Sequence, residues 1–365
     1  MRVLQVTLAF FIMLGPVIFR FPARTLPFSI TTQFNWYAGF PENGKLQSTP
    51  MPSNWAAQGV RPFHAVMTQH GDHGAIVFMD RIKELDANDL TFAPLHGQGY
   101  FIFGRIGKEL AFYSEQGELL WKKPFPAYPV TDPAGKSVYL LTGDGNRVDV
   151  LDPSGNLIGA KHISGNFLSD FKFASRAPIS IFLFGSGGVF GMNQQGEIAF
   201  QYDDKTPRFY KTAAISEDGK VVALHSLRGD QDTLLVLRFD GGKAKKLYEM
   251  ELGSVYPFAI TLAVHSSGSV LVGTPDRTAF ADDGDWVWST DIRVPGPRYA
   301  FADSNYLVIT WPRKIVIYQP NGKQLAAIPY PADEPEPFTL MPGALPGSFI
   351  LQGKQSLTVH SVGPL

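Results

Sequence analysis

The sequence predicts an all-β fold built from a repeated unit of about 40 residues. Each unit contains two strand-like runs joined by a tight, polar turn with a glycine, as in Tyr113–Trp121. This turn recurs with spacings of 38, 41, 46, 42 and 38 residues, at Gly117, Gly155, Gly196, Gly242, Gly284 and Gly322. A second glycine series alternates with the first, at Gly99, Gly135, Gly219, Gly268 and Gly347. Two turns in each period are typical of a β-propeller with four-stranded antiparallel blades.

Runs of β-branched and aromatic residues lie between the turns and have the length of strands. Examples are Ser137–Thr142, Lys220–Leu224 and Tyr306–Thr310. Beyond the N-terminus we find no stretch with helical periodicity over three turns. The predicted blades span residues 91–126, 127–165, 166–206, 207–254, 255–295, 296–334 and 335–365.

The last of these repeats holds only three strand-like runs and would leave an unpaired edge. We therefore predict seven blades, with Ala75–Asp80 pairing antiparallel with Ser356–His360 to close the last blade. The alternative is eight blades, with residues 63–90 forming a blade of their own.

The N-terminus predicts a membrane helix. After Arg2, a largely apolar run extends from Val3 to Phe19, and the sites that follow it suit signal peptidase poorly. We predict that residues 1–19 are an uncleaved signal anchor and that the bulk of the chain is extracytoplasmic, in a periplasm or at a cell surface. A cleaved signal and a buried apolar arm remain as alternatives. Residues 20–62 are rich in proline and aromatic residues and predict an extended arm, and residues 63–365 predict the propeller domain.

The charge and composition exclude several classes of function. The net charge is −1, and the densest basic run, Lys243–Lys246, is short, so nothing predicts binding to nucleic acid. The chain has no cysteine, which excludes disulfides, thiolate metal sites and cysteine nucleophiles.

One short segment has residue types that bind metal ions. His70, Asp72 and His73 place two imidazoles and a carboxylate within four positions. The favoured interpretation is a polar hairpin turn between Phe63–Thr68 and Ala75–Asp80, because no third ligand has a recognisable spacing. We therefore predict no metal and no other cofactor.

The other candidates for chemistry are weaker. The paired carboxylates Asp203-Asp204 and Asp282-Asp283 lie in predicted turns, where aspartate is common. Gly185–Gly188 is rich in glycine, but no helix follows it, so the geometry for phosphate binding is missing. Trp121, Trp286 and Trp288 could stack on a sugar or a quinone, but Trp121 and Trp288 occupy one repeat position, which favours packing between blades.

The hairpins of Trp121 and Trp288 resemble quinoprotein-type (PQQ-like) repeats, in which a glycine precedes a tryptophan by four positions. Gly117 with Trp121 and Gly284 with Trp288 match this spacing, and the other repeats keep only the glycine. The resemblance is at the level of a superfamily that also includes WD40-like propellers. The resemblance implies a propeller fold. The superfamily includes quinone-dependent dehydrogenases and non-catalytic assembly factors of the bacterial envelope.

We expect a non-catalytic scaffold that binds protein partners in a membrane or envelope complex. The alternative is a propeller that binds or converts a ligand, such as a sugar, a lactone or a quinone, in its central channel. A scaffold should expose an apolar or aromatic patch on one face. An enzyme should bring carboxylates or histidines together at the mouth of the channel.

Overall fold

The computed structural model describes most of the chain from Phe28 onward. The described residues are 28–39, 47–48, 65–70, 73–78, 82–86, 88–92, 99–104, 108–132, 135–185, 187–291, 299–303, 306–311, 314–329, 339–343, 347–352 and 356–364. They form 32 strands in eight antiparallel sheets, and they contain no helix.

The sheets follow one another along the chain. Strands β1 (Phe28–Gly39) and β2 (Gln47–Ser48) belong to the last sheet, which is given below. Sheet 1 contains β3 (Ala65–His70), β4 (His73–Phe78) and β5 (Ile82–Leu85). Sheet 2 contains β6 (Asp89–Phe92), β7 (Tyr100–Gly104), β8 (Leu110–Tyr113) and β9 (Leu119–Lys123). Sheet 3 contains β10 (Ala127–Thr131), β11 (Val138–Thr142), β12 (Arg147–Leu151) and β13 (Leu157–Ser164).

The next sheets repeat this order. Sheet 4 contains β14 (Leu168–Phe173), β15 (Ile179–Phe184), β16 (Val189–Asn193) and β17 (Ile198–Tyr202). Sheet 5 contains β18 (Phe209–Ile215), β19 (Val221–Arg228), β20 (Gln231–Asp240) and β21 (Lys243–Glu251). Sheet 6 contains β22 (Thr261–Val264), β23 (Val270–Gly273), β24 (Arg277–Asp282) and β25 (Asp285–Asp291).

The last two sheets differ in how they are completed. Sheet 7 contains β26 (Tyr299–Asp303), β27 (Tyr306–Trp311), β28 (Lys314–Tyr318) and β29 (Gln324–Pro329). Sheet 8 contains β30 (Thr339–Pro342), β31 (Ser348–Gln352) and β32 (Ser356–Pro364), and β1 and β2 complete it. Successive four-stranded antiparallel sheets of this kind are the blades of a β-propeller, so the prediction of an all-β propeller with four-stranded blades is confirmed.

Each pair of consecutive sheets encloses its own apolar layer. Between sheets 5 and 6, for example, Val236 of β20 and Val272 of β23 are fully buried in one cluster. Similar clusters join the other consecutive pairs from sheet 1 to sheet 8. A strand in the middle of a sheet is covered on both sides, which is why β19 and β27 are runs of apolar residues rather than alternating ones.

Both predicted glycine series lie in turns with a left-handed backbone. At Gly117 the φ angle is +87°, and its N–H donates to the carbonyl of Ser114 at 3.0 Å. At Gly219 the φ angle is +72°, and its N–H donates to the carbonyl of Ser216 at 3.0 Å. Glycine suits such turns because it has no Cβ to clash at positive φ. The sequence signal of the repeat is therefore the backbone requirement of these turns.

The predicted closure of the last sheet is wrong in its choice of strand. Strand β32 pairs antiparallel with β1, from Phe28 opposite Pro364 to Tyr37 opposite Ser356. Of the segment predicted to pair there, Ala75–Asp80, the described residues 75–78 belong to β4, which lies between β3 and β5 in sheet 1. An upstream strand does close the last sheet, but it comes from the predicted arm, and the described residues form eight sheets rather than seven.

The proline-rich composition of the arm conceals this strand. Pro27 and Pro41 stand outside the two ends of β1, and the twelve residues between Phe28 and Gly39 contain no proline. Proline removes a backbone donor and disfavours central strands, but it can flank one. The sheet structure therefore begins before residue 63, where the propeller domain was predicted to start.

The predicted signal anchor, residues 1–19, lies outside the described residues. Within the described part of the chain, we find no helix with the length and apolar character needed to cross a membrane.

Candidate docking face

The two ends of the sheets carry different connections. In sheet 3, Ala127 pairs with Thr142 and Arg147 pairs with Ser164, so these four residues lie at one end. We call this end the loop face, because it carries the links between the second and third strands and between consecutive sheets. The opposite end carries both series of glycine turns, and we call it the turn face.

Large apolar side chains are exposed on the loop face. They lie just before or at the start of the first strands of sheets 3 to 6. Their exposed fractions are 40% for Tyr128, 60% for Phe167, 43% for Phe209, 54% for Val255 and 80% for Phe258. We call these five residues the aromatic face. Four consecutive sheets therefore each expose a ring at, or just before, the start of the first strand.

Phe167 has an unusual backbone for an aromatic residue. Its φ angle is +60°, in the left-handed region that costs a residue other than glycine about 1–2 kcal/mol. Three hydrogen bonds hold it there. Its N–H donates to Asn146 Oδ1 at 2.9 Å, its carbonyl accepts from the N–H of Gly185 at 2.8 Å, and the next N–H, of Leu168, donates to the carbonyl of Gly145 at 2.5 Å. The surrounding loops therefore impose this conformation on Phe167.

Gly185 links Phe167 to Phe209. Its N–H binds the carbonyl of Phe167, and its own carbonyl accepts from the N–H of Tyr210 at 3.3 Å. The ring of Phe209 lies directly over Gly185, where a Cβ atom would approach Cζ of that ring to 3.0 Å. Phe167 and Phe209 therefore both contact Gly185, the first through its carbonyl and the second through its ring.

The loop that carries Val255 and Phe258 is attached to sheet 5 by a buried carboxylate. Asp232 Oδ2 accepts from the N–H of Tyr256 at 2.7 Å, and the carbonyl of Asp232 accepts from the N–H of Leu252 at 2.9 Å. Lys211 Nζ donates to Asp232 Oδ1 at 2.6 Å and to the carbonyl of Tyr256 at 2.6 Å. The side chain of Asp232 is fully buried and that of Lys211 is 10% exposed. This buried ion pair therefore fixes the loop to sheet 5.

His225 completes this buried network. Its Nε2 lies 3.0 Å from Asp232 Oδ2, and its Nδ1 accepts from the N–H of Ile260 at 3.4 Å. Burial lowers the pKa of His225 below its ordinary value and outweighs the attraction of Asp232. Burial alone would raise the pKa of Asp232, but the hydrogen bonds from Lys211 and Tyr256 prevail and lower it. At neutral pH the network therefore contains an ionised Lys211–Asp232 pair and a neutral imidazole.

A second ion network holds the loop that leads to Phe209. Arg208 is buried and forms an ion pair with Asp204 of the same loop. Its guanidinium also donates to Glu249 Oε1 at 3.0 Å and to Ser226 Oγ at 3.2 Å. The loops on both sides of sheet 5 are thus fixed by buried charges, which keeps the exposed rings in defined positions.

Exposed carboxylates outnumber exposed cations on the loop face of sheets 3 to 6, as far as the structure describes it. The carboxylates belong to Asp144, Asp203, Asp230, Glu251 and Asp276. The cations belong to Arg147, Lys205 and Arg228. Arg147 Nη2 lies 2.7 Å from Asp149 Oδ1, and Arg228 Nη1 lies 3.4 Å from Glu249 Oε1. Both arginines therefore already have an anionic partner. The aromatic face is therefore bordered by surplus negative charge.

A groove of about 670 Å³ runs along β21 beside this face. Its lining includes Arg228, Gln231, Lys246, Tyr248, Glu249 and Glu251. Two cations of the lining pair with one carboxylate, since Lys246 Nζ lies 3.2 Å from Glu249 Oε2 and Arg228 Nη1 lies 3.4 Å from Glu249 Oε1. The groove adds a polar border to the aromatic face.

Charged side chains also converge at the turn face. Arg176, which follows the first strand of sheet 4, donates to Glu217 Oε2 at 3.1 Å and to Asp303 Oδ2 at 2.9 Å. Glu217 follows the first strand of sheet 5, and Asp303 ends the first strand of sheet 7. Carboxylates therefore do meet where the first strands end, but the guanidinium of Arg176 binds both of them. Their arrangement is that of an ion bridge between non-neighbouring sheets.

The predicted metal candidates occupy a hairpin. His70 ends β3 and His73 begins β4, and the two are register partners that close the turn. Asp72 lies outside the described residues. In the part of the chain that is described, no group of three or more potential metal ligands is present. The absence of a metal stays a prediction.

The tryptophans pack between sheets, as predicted. The ring of Trp121 in sheet 2 lies against Gly155 in sheet 3, and its Nε1–H donates to the carbonyl of Pro153 at 2.9 Å. Trp288 in sheet 6 lies against Gly322 in sheet 7 in the same way. Trp286 packs against the core between sheets 5 and 6, with the guanidinium of Arg277 4.9 Å from the centre of its ring.

The residues of the aromatic face were not predicted from the sequence. A signal was present, because an exposed aromatic residue stands at or just before the first strand of several repeats: Tyr128, Phe167, Phe209 and Phe258. That repeated position could have indicated a shared surface.

No family model matches the chain, and no curated protein matches it. Solved structures with a similar fold include BamB from Moraxella catarrhalis, at 12% identity and a TM-score of 0.49, covering 81% of this chain and 95% of that one. They also include KlHsv2 with loop 6CD replaced by a Gly-Ser linker, at 12% identity and a TM-score of 0.49, covering 70% of this chain and 88% of that one. The β-propeller assignment follows from the sheets of the chain itself.

Proposed function

We propose that this protein is a non-catalytic scaffold that binds other proteins through the aromatic face. The observation that carries the proposal is the exposure of five large apolar side chains on one face, over four consecutive sheets. Fixed, exposed aromatic rings with a charged border are typical of protein-binding surfaces. The buried networks of Asp232 and Arg208 support the same function, because they hold the loops that display these rings.

We further propose that the eight sheets close a ring, with β1, which lies between β32 and β2 in the last sheet, joining its ends. The apolar run Val3–Phe19 supports a location outside the cytoplasm, with the N-terminal segment as a membrane anchor. The partner would then belong to a membrane or envelope complex.

Quantitative copurification from solubilised membranes tests the proposed function. A variant with Phe209→Ser and Phe258→Ser should lose at least about tenfold of the partner that copurifies with the unchanged protein, because central aromatic residues dominate binding energy. The control is Leu157→Ser, which changes a side chain that is 62% exposed on the outer strand of sheet 3. Equal recovery of all associated proteins with both variants would exclude the aromatic face as the binding site.

A further inference from the structure

The backbone conformation at position 167 does not favour phenylalanine. Its left-handed conformation favours glycine or asparagine, and its ring remains 60% exposed. The hydrogen bonds that fix this residue all use backbone atoms of Phe167 and Leu168, so another side chain could make them. Strain of this kind is commonly found where a side chain serves in binding.

Phe209 provides a second exposed ring, which is connected to Phe167 through Gly185. Both are attached to Gly185, one through a backbone hydrogen bond and one through contact of the ring. A pair of rings fixed on a rigid backbone loses little conformational entropy on binding. Together they form a base for one apolar side chain of a partner.

Two exposed carboxylates lie on segments next to this pair. Asp144 Oδ1 accepts from the N–H of Asn146 at 3.1 Å, and Asn146 in turn binds the N–H of Phe167. Asp203 lies beside Gly188, which is three residues from Gly185. A Cβ atom placed on Gly188 would be 3.6 Å from Asp203 Oδ1. Both carboxylates are exposed, and in the described residues their bonds come from neutral groups: Thr142, Asn146 and Gln201. Each ring therefore has an exposed carboxylate on a neighbouring segment, and of the exposed cations near them Arg147 already pairs with Asp149.

We propose that Phe167 and Phe209 bind one apolar side chain of a partner protein, in a segment with lysine or arginine on both sides of it. The basic residues pair with Asp144 and Asp203. This inference rests on the proposed function and specifies the chemistry of the partner. Complementary charge at an exposed border acts mainly on specificity and on the rate of association, so the interaction depends on salt concentration.

The test uses the full chain and two fluorescein-labelled peptides. In one peptide a single tryptophan is flanked on each side by two lysines, and in the other by two glutamates. By fluorescence anisotropy at low salt, the lysine peptide should bind about tenfold more tightly than the glutamate peptide. Phe167→Gly and Phe209→Ala should each weaken its binding at least about fivefold. The double variant Asp144→Asn and Asp203→Asn should abolish the preference for lysine, and Leu157→Ser should change nothing.

Stability gives a second readout that needs no partner. Phe167→Gly should leave the melting temperature unchanged or raise it, because glycine relieves the left-handed strain. A marked decrease would show that the ring serves the fold. Equal affinity for the two peptides would overturn the inference. If the peptides show no preference while Phe258→Ser still removes a copurifying partner, the inference fails and the proposed function stands.

Discussion

Asp232 and Tyr256 are joined by a hydrogen bond of 2.7 Å, from the backbone N–H of Tyr256 to a fully buried carboxylate oxygen. This bond ties the loop between sheets 5 and 6 to the first residues of β20. It makes the position of Phe258, two residues along the loop, depend on a charge inside the protein.

Asp232→Asn should strongly destabilise the fold. The change leaves Lys211 as a buried cation without its anionic partner, for which about 3–5 kcal/mol is typical. We expect this loss in denaturant unfolding, together with faster amide exchange across residues 252–260. Asp230→Asn, at an exposed position two residues away, should change the free energy of unfolding by less than about 0.5 kcal/mol.

Removing one partner of the Lys211–Asp232 ion pair should destabilise the fold more than removing both. Replacing both partners, with Lys211→Met and Asp232→Leu, should cost less stability than Asp232→Asn alone, because no charge remains buried. A double variant that is less stable than the single variant would contradict this interpretation of the network.

Gly155→Ala should reveal the contact between sheets 2 and 3. A Cβ atom there would approach the ring of Trp121 to 2.8 Å, in addition to the strain of a φ angle of +75°. Gly241→Ala is the matched control, because φ is +54° and no atom lies within 4 Å of its Cβ position. In thermal or denaturant unfolding, Gly155→Ala should be more destabilising than the control by about 1–3 kcal/mol. Adding Trp121→Ala should remove that difference.

The fold should lose stability in mild acid through His360. Burial lowers the pKa of this imidazole from 6.5 to about 4 in the folded state. The unfolded chain therefore binds more protons between these values, so stability present above pH 6.5 is lost as the pH falls towards 4. The full loss is of the order of 3 kcal/mol.

The position of His360 makes this effect informative. It lies on β32 opposite Thr32 of β1. Its ring stacks on the ring of Phe349, with 5.0 Å between the ring centres. His360→Gln should flatten the decrease in unfolding free energy between pH 6.5 and 4.5, whereas replacing the exposed His162 by glutamine should not. An unchanged slope in His360→Gln would show that other groups cause the loss.

Strand β1 should be required for a soluble fold. Without it, β32 would present an unpaired edge, which promotes aggregation. A chain that begins at Phe40 should therefore aggregate or unfold at a lower temperature than one that begins at Arg24, as measured by size-exclusion chromatography and thermal unfolding. Identical behaviour of the two chains would mean that the sheet closes without β1.

The repeats could be predicted because their turns restrict the sequence. Gly117 and Gly219 lie at positive φ, where few other residues fit, so the period is visible in the glycines alone. The closing strand could not be found in this way. Its pairing with β32 joins segments more than 300 residues apart, and no turn connects them.

The repeated aromatic position could have indicated a shared surface, but the exposure of the aromatic face could not be predicted because exposure is a property of the assembled sheets. Tyr256 and Phe258 are aromatic residues two positions apart in one loop, yet the first is 7% exposed and the second 80%. The ring of Tyr256 packs into the core between sheets 5 and 6, and its backbone bonds to Lys211 and Asp232 hold the loop in place. Sequence reasoning did predict what a scaffold should show, an aromatic patch on one face, but not which residues form it.

Site-specific photo-cross-linking in cells tests the docking face most directly. A photoreactive phenylalanine analogue placed at positions 167, 209 and 258 should give the same cross-linked partner protein at each position. Positions 119, 157 and 287, which are exposed apolar residues on outer strands, serve as controls and should not yield that product. Cross-links to one protein from the outer-strand positions, with none from the loop face, would contradict binding through the aromatic face.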